Sequence, residues 1–254
     1  MSKLSVCVLI PSCGRYSDIW HPFATLFGRH WPDCPYPVYL STGQRDGVPG
    51  FASPIPVGDD RDWSGSLKTA LSQIREDYVL LFLDDLLLHD RVDTDVVRRH
   101  IDTLASVNGN FLSLSGTPPP DRPFISDFGY VSEGAIYRTS TVTSVWRKDV
   151  LSVLLANGET AWQFELQGSI RSDAFGHFFS TTRRVLPVVN ALVRGTWTPA
   201  GLQLLNKAGI SPSSSRPAMN RLGALAHRLK LARHRLLMQA PASKRRAVRA
   251  FFLT

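Results

Sequence analysis

The sequence has little sulfur chemistry to draw on. Its three cysteines, Cys7, Cys13 and Cys34, form no CxxC pair and leave one unmatched. That argues against a disulfide framework and a thiolate zinc site, and for a reduced, cytoplasmic setting. Long apolar runs are also missing. The first, residues 4–10, stops at Pro11; it is too short to span a bilayer and lacks the flanks of a signal peptide. No other run approaches the roughly 18 residues that a span requires. Neither a GxGxxG nor a Walker motif follows a strand-like segment, so the commonest dinucleotide and triphosphate loops are not present. Acidic residues are absent from one region. Residues 211–254 hold ten of the 29 Lys and Arg and no Asp or Glu, which leaves 19 basic against 21 acidic side chains elsewhere. The net charge of +8 therefore belongs to the C-terminal stretch, and the body has no excess of positive charge that would point to nucleic acid.

What is present centres on residues 78–88, YVLLFLDDLLL. Residues 78–83 have the length and content of a fully buried strand. Two aspartates inside such a run are costly if unpaired. The spacing predicts that the strand ends at Asp84 and that the carboxylates emerge at a sheet edge. Ligands of open α/β sheets bind outside the carboxyl ends of strands, and a carboxylate pair there suits a hard divalent cation. The pair also fits two turn or cap aspartates beginning the next segment.

The 254 residues with 43% hydrophobic content suffice for one sizeable α/β domain with an appendage, read as 1–210 and a basic helical tail at 211–254. Residues 4–10 are a first strand, ended by Pro11-Ser12-Cys13-Gly14-Arg15. This turn is either an ordinary strand-to-helix loop or a presenter of backbone N–H groups and Arg15 to an anion. Helices are expected at 18–29 (broken locally by Pro22), 64–75, 92–105 and 147–156, and strands at 37–41, 111–115, 136–146 and 183–193. Asp59-Asp60-Arg61-Asp62-Trp63 precedes the second helix, either as a charged cap or as a nucleotide contact with Trp63 as a stacking face. Glu159 falls in the first turn of a new helix, where its charge suits the dipole. Trp162 and Phe164 are sugar-packing or core aromatics. Residues 211–217, SPSSSRP, read as a linker. Residues 220–238 form a helix with a Leu222, Leu225, Leu229, Ala232, Leu236 and Leu237 stripe among Arg and Lys, and residues 244–253 repeat that character. Such a helix suits an anionic membrane surface, a basic face in water or nucleic acid.

The order of these elements over about residues 4–200 resembles the GT-A fold of nucleotide-sugar glycosyltransferases. Val8-Leu9-Ile10-Pro11-Ser12 resembles the first strand and nucleotide loop. Phe82-Leu83-Asp84-Asp85 resembles the DxD metal motif, with Leu83 where a strict motif has an acid. Trp146-Arg147-Lys148-Asp149 through Gly158-Glu159 resembles the segment leading to the catalytic base of inverting members, although Thr160 replaces the usual second acid. The whole is similar to bacterial cell-surface polysaccharide transferases, whose hydrophobic or basic C-terminal extensions meet the membrane.

The resemblance implies an α/β, Rossmann-related mixed sheet flanked by helices, with a basic helical extension. It implies Mn²⁺ or Mg²⁺ on Asp85, with Asp84 as its partner. Pro11, Ser12, Arg15, Asp60, Asp62, Trp63 and Asp84 would frame the nucleotide of a UDP- or GDP-sugar. The base would be Glu159 by preference, or Glu165. His177 is either a further ligand or structural. The acceptor would be a glycan or lipid-linked molecule at the inner membrane face, with the tail on anionic lipid. Two other readings stay open: a sugar nucleotidyltransferase within the same fold, and a non-catalytic adaptor held on membrane or nucleic acid by the tail.

Overall fold

The computed structural model describes residues 4–43, 47–59, 62–125, 127–238 and 244–253. Strand β1 (Val6–Pro11) lies at the centre of the parallel half of the sheet and alternates its side chains between two cores. Val6, Val8 and Ile10 join one cluster with Trp20, Phe23, Phe27 and Phe82; Cys7 and Leu9 join another with Leu67, Leu71, Trp146, Leu151 and Phe164. This is the period of two expected of a strand covered on both faces. The chain continues through α1 (Ser17–His30), β2 (Val38–Thr42), β3 (Ser53–Pro56), α2 (Trp63–Gln73), β4 (Tyr78–Leu81), β5 (Leu86–Leu88) and α3 (Thr94–Ser106). It then forms β6 (Phe111–Ser113), β7 (Arg122–Pro123), β8 (Phe128–Tyr130), β9 (Ser144–Arg147) and α4 (Lys148–Leu154). Pro22 does not break α1. It removes one backbone donor, while Trp20, Phe23, Leu26 and Phe27 hold the helix against the sheet by burial.

A composite helix follows: α5 (Ala161–Gln163), a π-helical turn at Phe164–Gly168, and α6 (Ser169–Arg171). Thr160 caps it with a capping box shared with Gln163, so Glu159 precedes the helix and does not sit in its first turn. Then come β10 (Phe178–Thr181), β11 (Val188–Asn190), β12 (Leu192–Val193), β13 (Thr196–Trp197), α7 (Pro199–Ala208), α8 (Arg221–Met238) and α9 (Arg245–Leu253).

The large sheet has the order β3-β2-β1-β4-β9-β6-β10-β8-β7. β1, β2, β3 and β4 run parallel. β9 is antiparallel to both β4 and β6, and β10 is parallel to β6. The carboxyl ends of β1, β4, β6 and β10 therefore share one edge, as does the start of β9. The long strand expected at 136–146 shortens to β9, because Tyr137 and Thr143 take positive φ of 56° and 41° and break the extended chain. The strand expected at 183–193 divides into β11 and β12.

Arg138 is buried in this irregular region. Its guanidinium donates to the carbonyls of Val131, Ser172 and Phe175 and lies 4.2 Å from the Phe178 ring centroid. It cross-links residues 131–139 to the end of the composite helix, and burial lowers its pKa to about 10.

The C-terminal residues are tied to the same region. Arg249 is buried, pairs with Asp173 at 2.6 Å and donates to the Ser169 carbonyl at 3.0 Å. Arg245 pairs with Asp121, and Tyr137 Oη meets His234 Nδ1 at 3.1 Å. Two arginines of α9 thus serve ion pairs within the protein. Exposed apolar side chains concentrate on α8, at Leu222, Leu225, Leu229, Leu231 and Leu236. Breaking a buried pair leaves its partner uncompensated. Arg249→Ala is expected to cost about 3 kcal/mol in urea unfolding; a change under about 0.5 kcal/mol would mean that α9 is not held by this pair.

Candidate active site

The acidic pair lies in a turn between β4 and β5, just past the carboxyl end of β4. The turn is pinned on both sides. Leu86–Leu88 pairs with Val188–Asn190, and the Ala191 amide donates to the Asp85 carbonyl at 2.8 Å. Asp84 is buried and accepts a hydrogen bond from Ser12 Oγ. Ser12 Oγ in turn accepts from Trp20 Nε1 at 2.7 Å. The indole donor orients the hydroxyl so that its own proton goes to Asp84. Burial, with the neighbouring Asp85 charge, raises the Asp84 carboxyl pKa to about 8; burial, with the Glu165 charge, raises Asp85 to about 7.

Glu165 is the third carboxylate of this neighbourhood. The π-helical turn carries it toward residues 139–143, which lie at the same sheet edge as the acidic turn because Ser144 pairs with Leu81. Its Oε1 accepts from the Thr141 amide at 2.7 Å, Thr141 Oγ1 at 2.9 Å and Ser140 Oγ at 3.4 Å. Its Oε2 takes no hydrogen bond among the described residues. Burial raises its pKa, and the three donors partly offset that rise. Thr139 Oγ1 caps the Phe164 and Glu165 carbonyls at 3.2 and 3.3 Å, supporting the wide turn from behind.

Glu159 has a different setting. Its carboxylate pairs with Arg171 through two bonds, at 2.8 and 2.6 Å, and its carbonyl accepts from the Ser64 amide at 3.1 Å. The expectation that preferred Glu159 as base meets an oxygen pair already committed to a guanidinium fork. Glu165, not Glu159, is the carboxylate coupled to Asp85.

Pro11 closes β1 and Ser12 follows it, both at the shared edge. Arg15 is exposed on the short 3₁₀ turn Gly14–Tyr16, and its carbonyl accepts from Arg216. Asp62 caps α2: its Oδ1 accepts from the amides of Gly65 at 2.6 Å and Gly158 at 2.9 Å. Trp63 packs on Phe164 with centroids 5.7 Å apart. Asp60 lies outside the described residues. Phe164 is core, whereas Trp162 is 54% exposed and lies in the neighbourhood of Tyr137 and Glu165. His177 precedes β10 and binds the Val107 carbonyl through Nδ1 at 3.0 Å. That is the opposite edge of the sheet from Asp85, so the two cannot share an ion. Sequence reasoning missed Trp20, Tyr16, Arg216 and the Thr139-Ser140-Thr141 cradle. The run of three hydroxyl residues was the available signal, since no strand with two covered faces needs three successive hydroxyls.

A hard cation fits what is present. Asp85 Oδ1 is a buried oxygen with no hydrogen-bond partner, and Asp84 adjoins it. Oxygen donors of this kind suit Mg²⁺ or Mn²⁺. Among the described residues no group of three His, Cys, Asp or Glu side chains is assembled for a metal, so phosphate and water would complete the sphere.

No family model matches the chain, and no curated protein matches it. Solved structures do. UTP-bound UGPase from Acinetobacter baumannii aligns with a TM-score of 0.51 at 11% identity, over 90% of this chain and 99% of that one. What the two share is the fold, a large mixed α/β sheet flanked by helices. S. aureus TarS 1–349 aligns at TM-score 0.45 and 12% identity over 70% of this chain. Mannosyltransferase PcManGT from Pyrobaculum calidifontis, in complex with GDP-Man and Mn²⁺, aligns at 0.49 and 11% over 76%. The chain spans 60% and 59% of these two structures respectively.

The buried carboxyls carry a stability signature. Their folded pKa values, about 8 and about 7, exceed the unfolded value of about 3.9. The stability they confer is complete below about pH 4 and is lost as pH rises through 7 and 8. In metal-free buffer the Tm should fall between about pH 5.5 and pH 8.5. Asp84→Asn should flatten that fall and melt higher than wild type at pH 8, by about 2–4 °C per kcal/mol. Parallel pH profiles for the two proteins would show that Asp84 is solvated.

Proposed function

We propose that the chain is a metal-dependent, inverting glycosyltransferase that moves a sugar from a UDP- or GDP-sugar to a hydroxyl acceptor. The observation that carries this is the convergence of Glu165 with the Asp84–Asp85 turn at the carboxyl edge of the parallel strands. Asp85, with Asp84, would hold Mn²⁺ or Mg²⁺, which when bound neutralises charge on the leaving diphosphate. Pro11, Ser12 and the Gly14–Tyr16 turn would border the nucleotide, with Asp62 and Trp63 acting indirectly through the loop they anchor. Glu165 would take the acceptor hydroxyl proton on Oε2, since Oε1 is fixed by Thr141 and Ser140. The acceptor oxygen then bonds to the anomeric carbon as the bond to the diphosphate breaks, inverting that centre. Burial raises the pKa of Glu165 above the ordinary carboxylate value, which makes it a stronger base. Trp162, exposed beside it, offers a face for a sugar ring.

The alignment with UTP-bound UGPase along nearly its whole length favours a second reading, nucleotidyl transfer from a nucleoside triphosphate to a sugar phosphate. The products separate the two: glycosyl transfer releases a nucleoside diphosphate and nucleotidyl transfer releases pyrophosphate. A screen of UDP- and GDP-sugars with Mn²⁺ should yield nucleoside diphosphate. Glu165→Gln should lower kcat by about 10²–10⁴-fold with little change in nucleotide affinity, while Glu159→Gln should not. Release of pyrophosphate alone, from UTP with a sugar phosphate, would select the second reading.

On the acceptor side we infer a lipid-linked or glycan substrate met at an anionic membrane face. Among the described residues no helix is long and apolar enough to cross a membrane. α8, however, exposes Leu222, Leu225, Leu229 and Leu236 on one side, with Arg221, Arg228 and Lys230 exposed around it. Such a helix lies in a lipid interface. Vesicles containing phosphatidylglycerol should sediment the protein, and Leu225→Gln with Leu229→Gln should weaken this by at least about tenfold, the loss of two buried methylenes at about 0.8 kcal/mol each. Equal sedimentation of both forms would assign the apolar stripe to another partner.

A further inference from the structure

Residues 211–217 are not a free linker. Trp197 of β13 is buried and forms a bridge with Ala218. Its amide donates to the Pro217 carbonyl at 2.9 Å, and its carbonyl accepts from the Met219 amide at 2.9 Å. Its indole Nε1 donates to the Ser213 carbonyl at 3.3 Å. The strap between α7 and α8 is therefore set in place, and it delivers one charged side chain, Arg216, to the turn that follows β1.

There Arg216 makes a bidentate pair with Asp18, Nε to Oδ2 at 2.8 Å and Nη2 to Oδ1 at 2.6 Å. Nη2 also donates to the Arg15 carbonyl at 2.6 Å, and the guanidinium lies 4.4 Å from the Tyr16 ring centroid. The side chain is only 10% exposed. Nη1 makes no hydrogen bond among the described residues. Opposite it is Gly195, at φ +75°, where an added Cβ would stand 3.4 Å from Nη1.

This turn is three residues from Ser12, whose hydroxyl holds Asp84, and Arg216 lies within electrostatic reach of Asp84. Asp18 has support for its charge besides Arg216, since it sits in the first turn of α1 where the helix dipole favours an anion. The pair is better explained from the side of Arg216. The guanidinium lies flat on an aromatic ring, within electrostatic reach of Asp84, and its Nη1 retains N–H donors that a phosphate oxygen can accept from.

We propose that Arg216 is a diphosphate-binding residue, held ready by Asp18 and Tyr16, so that the C-terminal strap completes the donor site from outside the first 210 residues. The ligand class is inorganic pyrophosphate or a nucleoside 5′-diphosphate. The proposal deepens the glycosyltransferase reading by naming what meets the leaving group, yet it can be tested with no sugar present.

The full chain is titrated calorimetrically, in Mg²⁺, with pyrophosphate, with UDP and GDP, and with uridine and guanosine. Arg216→Gln should weaken pyrophosphate and the matching nucleoside diphosphate by about 10–100-fold, the size of a charge-assisted bond, and leave the nucleoside unchanged. Arg216→Lys should fall between, keeping the charge but losing the fork. Asp18→Asn should tighten pyrophosphate by a few-fold, because it removes the competing anion.

Both substitutions break the same ion pair, so a purely structural role would move them in one direction, and that result overturns the proposal. Unchanged diphosphate affinity in Arg216→Gln also overturns it, as does a wild type that binds no pyrophosphate, UDP or GDP. If Arg216→Gln does not fold, the opposite shifts of Arg216→Lys and Asp18→Asn still decide. Sugar turnover with unaltered diphosphate affinity in the variant sinks this inference alone. Diphosphate binding that depends on Arg216, without sugar turnover, sinks only the glycosyltransferase reading.

Discussion

A carboxylate pair closed off from water is unfavourable unless something shares its charge or its proton, and the turn after β4 places two carboxylates in that position. Much of the surrounding architecture answers this demand. Trp20 of α1 fixes the Ser12 hydroxyl, and Ser12 donates to Asp84. Arg216 brings a positive charge from the far end of the chain. β11 and Ala191 hold the backbone so that the pair cannot relax outward. One oxygen, Asp85 Oδ1, still lacks a donor. Such an arrangement is poor as a structural device, and its unfavourable burial is relieved when a proton or a cation takes up the charge.

The second half of the site rests on another kind of support. Around Glu165 the chain is irregular: β9 is short, positive φ occurs at Tyr137 and Thr143, and the helix widens at 164–168. Arg138 makes this irregularity stable by supplying donors to carbonyls from both sides of it. A neutral side chain would offer too few donors, and a lysine would lack the planar spread. The regular sheet thus carries the acidic turn, and a buried cation supports the segment that cradles Glu165.

The alternation of apolar residues made β1, β4 and the four main helices legible, because burial on two faces leaves a plain pattern of side chains. The acidic turn was legible for the same reason, as an interruption of that pattern. Glu165 was harder to separate from Glu159, since both precede or enter one helix and only the π-turn decides which side chain is re-aimed. Arg171 occupies Glu159 from twelve residues away, a pairing that no local spacing announces. The Ser/Pro stretch at 211–217 looked like a linker because its composition lacks apolar anchors. Its anchors are main-chain bonds to Trp197, which composition cannot reveal.

The widened helix also bears on how this site can change. A π-turn amounts to one extra residue wound into an α-helix, and here Thr139 and Ser169 take up the Glu165 carbonyl. Losing a single residue from 164–168 would close that turn and rotate the preceding part of the helix by about 100° relative to the rest. Glu165 would then leave the Ser140–Thr141 cradle, although no residue around it had been altered. Substitution can therefore delete the carboxylate, but only a change in chain length can re-aim it. Relatives of this chain that differ by one residue in this helix should be sorted by winding before their acidic residues are aligned.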